Sequence, residues 1–445
     1  MLNKIKCPIA AQAQKTPNQT IIFTAKKTVS FLELHHLIYY YQEKLPKAKS
    51  FYLHNTQDLE TICLIFAAIR VKKLIYILPP TCPDSEIQAL KASQFSNIDA
   101  LKQLKFKPSY ISKADELPTW DLKRPSTLIQ SSGSSGSPKR VCHSLKNHYY
   151  SYLGLLESIP FTNQDCWALM LPIHHISGLS ILFRTIFAKA SFYLIDNYKE
   201  SKWLLEKNIS HASMVSAQIF ELKNKKSHIK HLLLGGSSIS KTCLEQALNI
   251  SKNLYISYGS TETSSQIYIH KINAKKATPQ KGIVHRYCKI KTSEKKHLLI
   301  EGASLALGYF QLPNLLQPLE KPFDSMDIAE IKGGNLSILG RSDTMFISGG
   351  ENIFPETIEK IFLNHPLILN CICLPKDDLK FGQVPILVVS SKQNISFTTL
   401  KQWAKKLLPS YKIPKAILKW PKAIPDSKQA RTQLYKHFKS LTDRL

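Results

Sequence analysis

A serine- and glycine-rich run behind a strand-like segment constrains this chain more than any other feature. The apolar segment Thr127-Leu128-Ile129 leads into a run from Gln130 to Val141 that reads QSSGSSGSPKRV. Glycines let a backbone approach a polyphosphate closely, and serine hydroxyls and amides can donate hydrogen bonds to it. The pattern therefore predicts a phosphate-binding loop, with Lys139 adding a positive charge. The loop residues expected to contact phosphate are Ser131, Ser132, Gly133, Ser134, Ser135 and Gly136.

Two other interpretations of this run are weaker. It is not the Gly-x-x-x-x-Gly-Lys-Ser/Thr phosphate loop, because no Gly-Lys-Ser/Thr ending is present. A flexible linker without a binding function is the general alternative for any Ser/Gly tract. A linker, however, would need neither the rigid Pro138-Lys139 step nor a strand directly before it. We therefore favour the phosphate-binding interpretation.

Hydrophobic patterning predicts an α/β fold in two domains. A chain of 445 residues is too long for one compact core. Ser30 to Tyr41 has the pattern of a capped helix, with Glu33 three residues after Ser30. Ile75 to Leu78 is typical of a buried strand and stops at Pro79-Pro80. Strands alternating with helices predict a large multi-layer α/β domain over residues 1–341.

The last hundred residues have the pattern of a small, lid-like α+β domain, residues 342–445. A helix is predicted to begin at Pro355, and two strand-like runs follow, Leu369 to Leu374 and Ile386 to Ser390. A second helix is predicted to carry its apolar residues on one face, namely Leu400, Trp403, Ala404, Leu407 and Leu408. We expect the linker between the domains near Gly340 to Asp343.

Composition narrows the classes of partner. The net charge of +28 comes mostly from lysine, since eight of the sixty basic residues are arginine. These lysines are spread along the chain and accompany no nucleic-acid motif, so we expect no nucleic-acid partner. A solvated surface that attracts anionic substrates is the preferred interpretation. The sequence does not indicate an oligomeric state.

Segment patterns favour a cytoplasmic protein. No run of about 18 uncharged apolar residues is present, so we expect no membrane span. The basic N-terminus lacks the apolar stretch of a secretory signal. The nine cysteines form no Cys-x-x-Cys pair. Cys371 and Cys373 alternate along an apolar run, so we expect buried, reduced thiols on one strand face.

Further motifs carry groups suited to a nucleotide. In Ser257-Tyr258-Gly259-Ser260-Thr261-Glu262-Thr263, a tyrosine can stack on adenine, while Thr-Glu offers a hydroxyl for phosphate and a carboxylate for Mg²⁺. Phe323 to Asp327 ends in a carboxylate that could accept from two ribose hydroxyls. Two short motifs follow, Gly340 to Asp343 and Ile347 to Pro355.

Together these motifs resemble, in order, those of the acyl-adenylate-forming superfamily, which includes acyl-CoA synthetases, adenylation domains and luciferases. The resemblance spans nearly the whole chain. It implies an acid–thiol ligase that uses ATP, Mg²⁺ and coenzyme A. A carboxylic acid would be joined to AMP and then passed to the thiol, while the small domain moves about the residue matching Asp343.

The resemblance assigns roles to positions of this chain. It implies catalytic roles for Lys139, Thr261, Glu262 and Arg431, with Glu262 as the metal ligand. Beyond the loop, the implied nucleotide- and CoA-binding residues are Gly235, Gly236, Ser237, Tyr258, Gly259, Ser260, Asp327, Arg341, Gly349 and Gly350. His175, Ser177 and Gln266 are the implied substrate contacts. A hydrogen-bonded structural role for His175 stays an open alternative.

Three stretches add subfamily detail: His175 to Arg184, Ser213 to Gln218, and Tyr258 to Gln266. They are most similar to the o-succinylbenzoate–CoA ligases of menaquinone biosynthesis, which implies 2-succinylbenzoate as the acid. The alternatives are a ligase for another aryl or fatty acid, or an enzyme that loads a carrier protein. A binding protein that kept the fold with weakened catalysis is the alternative of a different class.

Four positions depart from the family pattern, and one of them is Ala430, which stands where the family has a glycine. Arg431 stands where the family has a C-terminal lysine that stabilises charge during adenylation, with Lys428 as the alternative candidate three residues earlier. Arginine is wider and planar, so the exchange is not conservative at a tight site. Arg140 and Met326 replace two glycines of the family motifs.

Overall fold

The computed structural model describes residues 3–104, 117–131, 139–222, 227–236, 239–275, 278–391, 393–425 and 430–442. Within these ranges the α-helices are α1 (Pro8–Lys15), α2 (Phe31–Lys44), α3 (Leu59–Arg70), α4 (Asp84–Ala92), α5 (Leu145–Leu155), α6 (Ile176–Ala188), α7 (Ser216–Glu221), α8 (Lys241–Ile250), α9 (Pro355–Phe362), α10 (Phe397–Lys405) and α11 (Ala430–Thr442). None of the described helices is long and apolar enough to cross a membrane.

The first large sheet has a parallel centre. Its strands are β2 (Thr20–Phe23), β3 (Thr28–Ser30), β10 (Cys166–Leu169), β11 (Ser191–Leu194), β12 (His211–Met214), β13 (His231–Leu234), β14 (Asn253–Ser260), β15 (Ser265–Asn273), β16 (Thr278–Pro279) and β17 (Ile283–Val284). Their order is β16-β15-β14-β13-β12-β10-β11-β2-β3, and β17 pairs with β15. The run from β14 to β2 is parallel, and β15 joins it antiparallel.

The second large sheet is also parallel at one side. Its strands are β4 (Ser50–His54), β5 (Leu74–Leu78), β6 (Phe95–Asn97), β8 (Pro125–Ser131), β9 (Lys139–Ser144), β20 (Gly308–Gln311) and β21 (Leu315–Pro318). Their order is β21-β20-β9-β8-β5-β4-β6, with β6, β4, β5 and β8 parallel. The predicted strand at Thr127–Ile129 is confirmed as part of β8.

Smaller sheets complete the architecture. One pairs β1 (Lys4–Lys6) with β7 (Thr119–Asp121); another has the order β18 (Cys288–Thr292), β19 (His297–Gly302), β22 (Phe323–Lys332), β23 (Asn335–Arg341). The last runs β25 (Glu351–Ile353), β24 (Phe346–Ser348), β27 (Gly382–Ser391), β26 (Ile368–Asp378), and β28 (Ala416–Lys419) pairs with β27.

Two buried helices join the large sheets into one core. Nearly every residue of α3 and α6 is buried, as expected of helices covered on all sides. The rings of Phe66 on α3 and Phe183 on α6 meet edge to face at a centroid distance of 6.0 Å. Because α3 connects strands of the second sheet and α6 connects strands of the first, this contact packs the two layers together. The predicted α/β fold class is confirmed.

Local sequence signals account for several element ends. Ser30 and Glu33 form the predicted capping box: the Ser30 side chain accepts from the amide of Glu33, whose carboxylate accepts from the amide of Ser30 at 2.7 Å. The strand at Ile75–Leu78 and the helix beginning at Pro355 are also confirmed, as β5 and α9.

The second C-terminal helix is shorter than predicted. It ends at Lys405, and Leu407 is half exposed instead of lying on the packed face. Pro409 disfavours helical backbone at the residue before it, which accounts for the early end. Cys371 and Cys373 are buried free thiols on β26, as predicted.

The C-terminal segment has cores of its own. One cluster joins Phe346 and Ile353 to α9, α10 and the inner faces of β26 and β27. A second cluster lies between the other face of this sheet and α11. Since β23 ends at Arg341, we propose residues 341/342 as the boundary between the two domains.

Candidate active site

Several predicted residues follow the carboxyl ends of parallel strands. Ser131 ends β8, Gly235 follows β13, and Tyr258 to Ser260 end β14. In open α/β sheets, ligands bind in the crevice outside these ends. Ser132, Gly133, Ser134, Ser135, Gly136 and Ser237 lie outside the described residues.

Lys139 and Glu262 meet at Tyr309, a residue that the sequence analysis missed. The Lys139 ammonium lies 4.8 Å from the centroid of the Tyr309 ring. The Tyr309 hydroxyl donates to Oε1 of Glu262 at 3.2 Å. Burial raises the pKa of Tyr309, and the neighbouring Glu262 charge raises it further, so the phenol stays protonated. A cation and a carboxylate therefore flank one ring beside the predicted phosphate loop.

Thr261 is held through its backbone by a buried histidine. Nε2 of His143 lies 2.7 Å from the carbonyl oxygen of Thr261, so this nitrogen carries the proton and donates. Burial lowers the pKa of His143 to about 4, which keeps the imidazole neutral at physiological pH. The residue lies on β9, four positions after Lys139, and the sequence analysis did not select it.

Tyr258 and Asp327 are joined by a hydrogen bond between their side chains. The Tyr258 hydroxyl donates to Oδ2 of Asp327 in a short hydrogen bond. Arg341 donates to Oδ1 of the same carboxylate at 3.2 Å. Burial raises the pKa of Asp327, although Tyr258 and Arg341 oppose this shift. The structure therefore joins three predicted nucleotide-binding residues in one network.

Arg341 extends this network to the predicted hinge. It donates from Nε and Nη2 to the two carboxylate oxygens of Asp343, both at 2.8 Å. This paired hydrogen bonding raises the pKa of Arg341, so the guanidinium stays charged. The carboxylate of Asp327 and that of Asp343 are thus linked through one arginine.

Two of the predicted glycines allow close approach of neighbouring groups. A Cβ at Gly259 would lie 1.9 Å from the carbonyl oxygen of Ser265, and one at Gly235 would lie 2.7 Å from Oγ of Ser257. Gly236 follows with φ of +86°. Ser260 has its Oγ buried, with no hydrogen-bond partner among the residues that the structure describes.

The predicted substrate contacts lie around α6. His175 is exposed at the N-terminus of this helix, and its ring centroid is 4.3 Å from that of His174. Ser177 is half-buried in the first turn, where its carbonyl accepts from Ser180. Gln266 is buried and donates from Nε2 to the carbonyl of Ser151 at 2.9 Å.

Gln266 also contacts a buried arginine. Its Oε1 accepts from Nη2 of Arg184 at 3.2 Å. Arg184 is 2% exposed, packs 4.6 Å from the Trp167 ring centroid, and otherwise donates to Ser180. Burial lowers the pKa of Arg184 to about 9, so the side chain stays cationic at neutral pH. Its Nη1 has no partner among the described residues, and the groups that it contacts there are neutral.

Gly349 and Gly350 form the turn between β24 and β25. Their φ angles of +58° and +88° lie in the region that favours glycine. The amide of Gly349 donates to the carbonyl of Phe381 at 2.9 Å, and a Cβ at Gly349 would lie 3.0 Å from the Phe381 ring. The turn is therefore held against the β26–β27 hairpin.

Arg431 contacts residues of the C-terminal segment, and in the described part of the chain it contacts none of the other predicted site residues. At the start of α11, its Nη2 donates to both carboxylate oxygens of Glu359, at 2.8 and 3.0 Å, and Nη1 donates to the carbonyl of Cys373 at 2.8 Å. Glu356 lies 3.4 Å away. All of these partners belong to the C-terminal domain. Lys428, the alternative cation, lies outside the described residues.

The structure shows the surroundings of Arg140 and the backbone conformation of Met326, which replace two glycines of the family motifs. Arg140 on β9 forms an ion pair with Glu86 of α4, and its Nε lies 2.7 Å from Oε1. Met326 adopts φ of +61°, a left-handed conformation that a glycine would adopt without strain.

Comparisons with known proteins agree with this geometry. Residues 53–310 match the model of a family described as AMP-binding enzyme. The 2-succinylbenzoate–CoA ligase of Staphylococcus aureus is 34% identical over 304 residues, which cover 65% of this chain and 62% of that relative. The match therefore spans less than two thirds of the relative's own length.

Solved structures resemble the whole fold. The o-succinylbenzoate CoA synthetase (MenE) from Bacillus subtilis in complex with the acyl-adenylate intermediate OSB-AMP has a TM-score of 0.81 at 22% identity, covering 97% of this chain and 98% of that one. The same enzyme in complex with ATP and magnesium ion has a TM-score of 0.79 at 22% identity, covering 97% of this chain and 100% of that one.

Proposed function

Because this chain belongs to the AMP-binding enzyme family, we propose that it is an ATP-dependent acid–CoA ligase. The reaction would form an acyl-adenylate from a carboxylic acid and ATP, and then a thioester with coenzyme A. The observation that carries the proposal is the pair of networks at the carboxyl edge of the sheets. Lys139, Tyr309 and Glu262 form one, and Tyr258 and Asp327 are in the other.

These networks suit the phosphate end and the ribose end of a nucleoside triphosphate. Lys139 supplies positive charge for phosphate oxygens, and Asp327 supplies carboxylate oxygens for ribose hydroxyls. Gly235, Gly236 and Tyr258 would line the adenine, and Ser260 has a buried hydroxyl without a hydrogen-bond partner among the described residues. Such an arrangement accelerates phosphoryl chemistry mainly by positioning and by stabilising charge.

The residues present fit a magnesium ion. Glu262 accepts one hydrogen bond, from Tyr309, and pairs with no cation in the described part of the chain. Its remaining carboxylate lone pairs are therefore available, and Mg²⁺ prefers carboxylate and phosphate oxygens. Glu262 would hold the ion, with the Thr261 hydroxyl toward the phosphates. The bound ion would neutralise charge on the phosphate oxygens.

The reaction balances in two steps. A carboxylate oxygen of the acid attacks the α-phosphorus of ATP, and the bond to the β-phosphate oxygen breaks to release pyrophosphate. The CoA sulfur then attacks the acyl carbon, the acyl–phosphate bond breaks, AMP leaves and the thiol proton passes to solvent. We propose that the C-terminal domain turns about Asp343 between the steps, and that pantetheine enters past Gly349 and Gly350.

We propose 2-succinylbenzoate as the carboxylic acid substrate. Arg184 is a buried cation whose contacts in the described chain are neutral, which is costly unless an anion completes the site. It lies on the same helix as the proposed substrate contact Ser177 and donates a hydrogen bond to another proposed contact, Gln266. In an acid with a second carboxylate and an aromatic ring, the carboxylate would supply the anion. The ring would pack against apolar side chains near Arg184, such as Trp167. The similarity to the S. aureus ligase supports the same choice.

One observation favours a weakened enzyme as the second candidate. Arg431, proposed as the cation for adenylation, is held by Glu359 inside the C-terminal domain. To act on the α-phosphate it would have to leave this ion pair or reach the site together with the whole domain. A protein that binds ATP and the acid but forms the adenylate slowly would fit that constraint.

An acid panel with ATP and CoA tests these candidates. We expect pyrophosphate release that depends on 2-succinylbenzoate, followed by thioester formation only when CoA is added. Turnover of another aryl or fatty acid instead would move the assignment to another ligase, and transfer to a carrier protein would identify a loading enzyme. Binding of ATP without acid-dependent pyrophosphate release would contradict the ligase proposal.

A further inference from the structure

Tyr309 contacts the two oppositely charged side chains of the proposed site at the same time. Its ring faces the Lys139 ammonium at 4.8 Å, and its hydroxyl donates to Glu262 at 3.2 Å. In the part of the chain that the structure describes, neither charged group forms an ion pair. The tyrosine thus occupies the position between a cation and an anion that would otherwise attract each other.

Strand pairing accounts for the position of Tyr309. β20 pairs with β9 so that Tyr309 lies opposite Val141. Lys139 is two residues before Val141 and shares its strand face, which makes Lys139 and Tyr309 diagonal neighbours across the pair. The aromatic ring is therefore held beside the lysine by the sheet and not by the side chains alone.

The same segment also holds the backbone of Glu262. The amide of Ala306 donates to the Glu262 carbonyl at 2.7 Å, and the amide of Leu307 donates to the carbonyl of Cys142 on β9 at 2.8 Å. Residues 306–309 thereby tie the turn that carries Glu262 to the strand that begins at Lys139. This segment therefore connects the two backbone positions from which the charged side chains project.

We propose that Tyr309 is a positioning residue that keeps Lys139 and Glu262 apart, so that the lysine stays available for phosphate oxygens and the carboxylate for Mg²⁺. The inference rests on the proposed function of this site. The ring gives the ammonium a weak cation–π partner, which a phosphate can replace readily. The hydroxyl orients one carboxylate oxygen, and the other accepts no hydrogen bond within the described ranges of the chain. Without the ring, the ammonium and carboxylate would close into a direct ion pair and compete with Mg·ATP.

Two substitutions separate the ring from the hydroxyl. Tyr309→Phe keeps the spacer and removes the hydrogen bond to Glu262. We expect the Mg²⁺ concentration for half-maximal pyrophosphate release to rise about tenfold, the usual effect of losing a hydrogen bond to a charged group, with kcat at saturating Mg²⁺ little changed. Tyr309→Leu removes both contacts, and we expect the KM for ATP to rise about tenfold as well. Tyr193→Phe, which removes a hydroxyl from a ring stacked on Phe23 in the first sheet, is the matched control and should leave both constants unchanged.

If Tyr309 separates the two charges, its effect should depend on the Lys139 ammonium. The loss on going from Tyr309→Phe to Tyr309→Leu should disappear in a Lys139→Met background, because no ammonium remains to pair with Glu262. A general packing defect would persist in that background and would overturn the proposal. So would a Tyr309→Phe protein with unchanged Mg²⁺ dependence, or a Tyr309→Leu protein no worse than Tyr309→Phe.

Calorimetric binding of ATP, with and without Mg²⁺, gives a readout that does not need turnover. Thermal unfolding of each variant identifies any that fail to fold. If Tyr309→Leu does not fold, the Mg²⁺ dependence of Tyr309→Phe, which keeps the ring, still tests the role of the hydroxyl. Wild-type protein that binds Mg·ATP but releases no pyrophosphate with any acid would overturn the ligase proposal alone, since the binding comparison still decides the role of Tyr309. Wild-type protein that does not bind Mg·ATP would overturn both.

Discussion

Arg431 donates hydrogen bonds to both carboxylate oxygens of Glu359, a residue 72 positions earlier in the chain. Glu359 is 6% exposed, and burial raises the pKa of its carboxyl group while the Arg431 charge opposes that shift. The arginine predicted to stand in the place of a family lysine therefore neutralises a buried carboxylate in the C-terminal domain.

Arg431→Ala should destabilise the protein by about 3 kcal/mol, because removing one partner leaves the other charge buried and unpaired. Without the arginine, the folded-state pKa of Glu359 should rise further above its unfolded value. Protonation then favours the folded state, so the loss should be smallest at acidic pH and grow as pH rises through the raised pKa. Urea unfolding between pH 5 and 8 measures both effects.

The double variant Arg431→Ala with Glu359→Gln separates stability from catalysis. We expect it to recover most of the lost stability, since no buried charge remains, while adenylate formation stays slow. Recovery of adenylation together with stability would show that Arg431 is structural and that another group supplies the cation.

Asp327→Asn should weaken ATP binding about 10- to 100-fold, since charge-assisted hydrogen bonds contribute roughly 1.5–3 kcal/mol. Burial raises the pKa of Asp327, so the wild-type carboxylate becomes protonated and loses acceptor capacity as pH falls through that raised value. ATP affinity of the wild type should therefore decrease toward acid. Titrations of ATP binding across pH check this, and the Asn variant should lose that pH dependence.

A matched carboxylate gives the control for this experiment. Asp121→Asn changes a group on β7 that accepts from the amide of Lys123, and it should leave ATP binding unaltered. An equal loss of affinity in the two variants would point to general electrostatics and not to a ribose contact.

Met326→Gly should stabilise the protein by about 0.5 kcal/mol. Relief of left-handed strain at a non-glycine residue, about 1–2 kcal/mol, is partly offset by the larger entropy of glycine in the unfolded chain. Gly333→Ala is the converse change: φ is +58° and nothing lies within 4 Å of the added Cβ, so the same two effects with opposite sign should leave a net cost of about 0.5 kcal/mol. We expect the denaturant concentration at half unfolding to rise for Met326→Gly and to fall for Gly333→Ala, relative to the wild type. A destabilised Met326→Gly protein would contradict the strain assignment.

Arg184→Met should separate acids by their charge. The methionine keeps an apolar stem without a buried cation, so stability should be unchanged or higher. With the dicarboxylate, kcat/KM should fall at least tenfold relative to an aryl monocarboxylate of similar size, because the second carboxylate loses its partner. Arg286→Gln, at a residue paired with Glu157 on the surface, is the control. An equal decrease for both acids would contradict the proposed carboxylate contact.

The sequence alone was sufficient for features whose causes are local. The capping box of Ser30 and Glu33, the buried strand before Pro79 and the helix beginning at Pro355 depend on neighbours a few residues away. The ordered motifs also indicated the family, because glycine and charged residues recur at the spacing that a nucleotide requires. The same local reasoning extended the second C-terminal helix past Lys405, since apolar spacing continued beyond the point where Pro409 ends the helix.

Tertiary structure decided which groups share a site. Tyr309 contacts Glu262 across 47 residues, His143 contacts Thr261 across 118, and Arg184 contacts Gln266 across 82. No local pattern marks such partners, because sheet pairing and burial choose them. The order of the motifs thus indicated the AMP-binding enzyme family to which the chain belongs. Only the packing of the two sheets and the C-terminal domain decided that Tyr309 stands between the site's charges and that Glu359 holds Arg431.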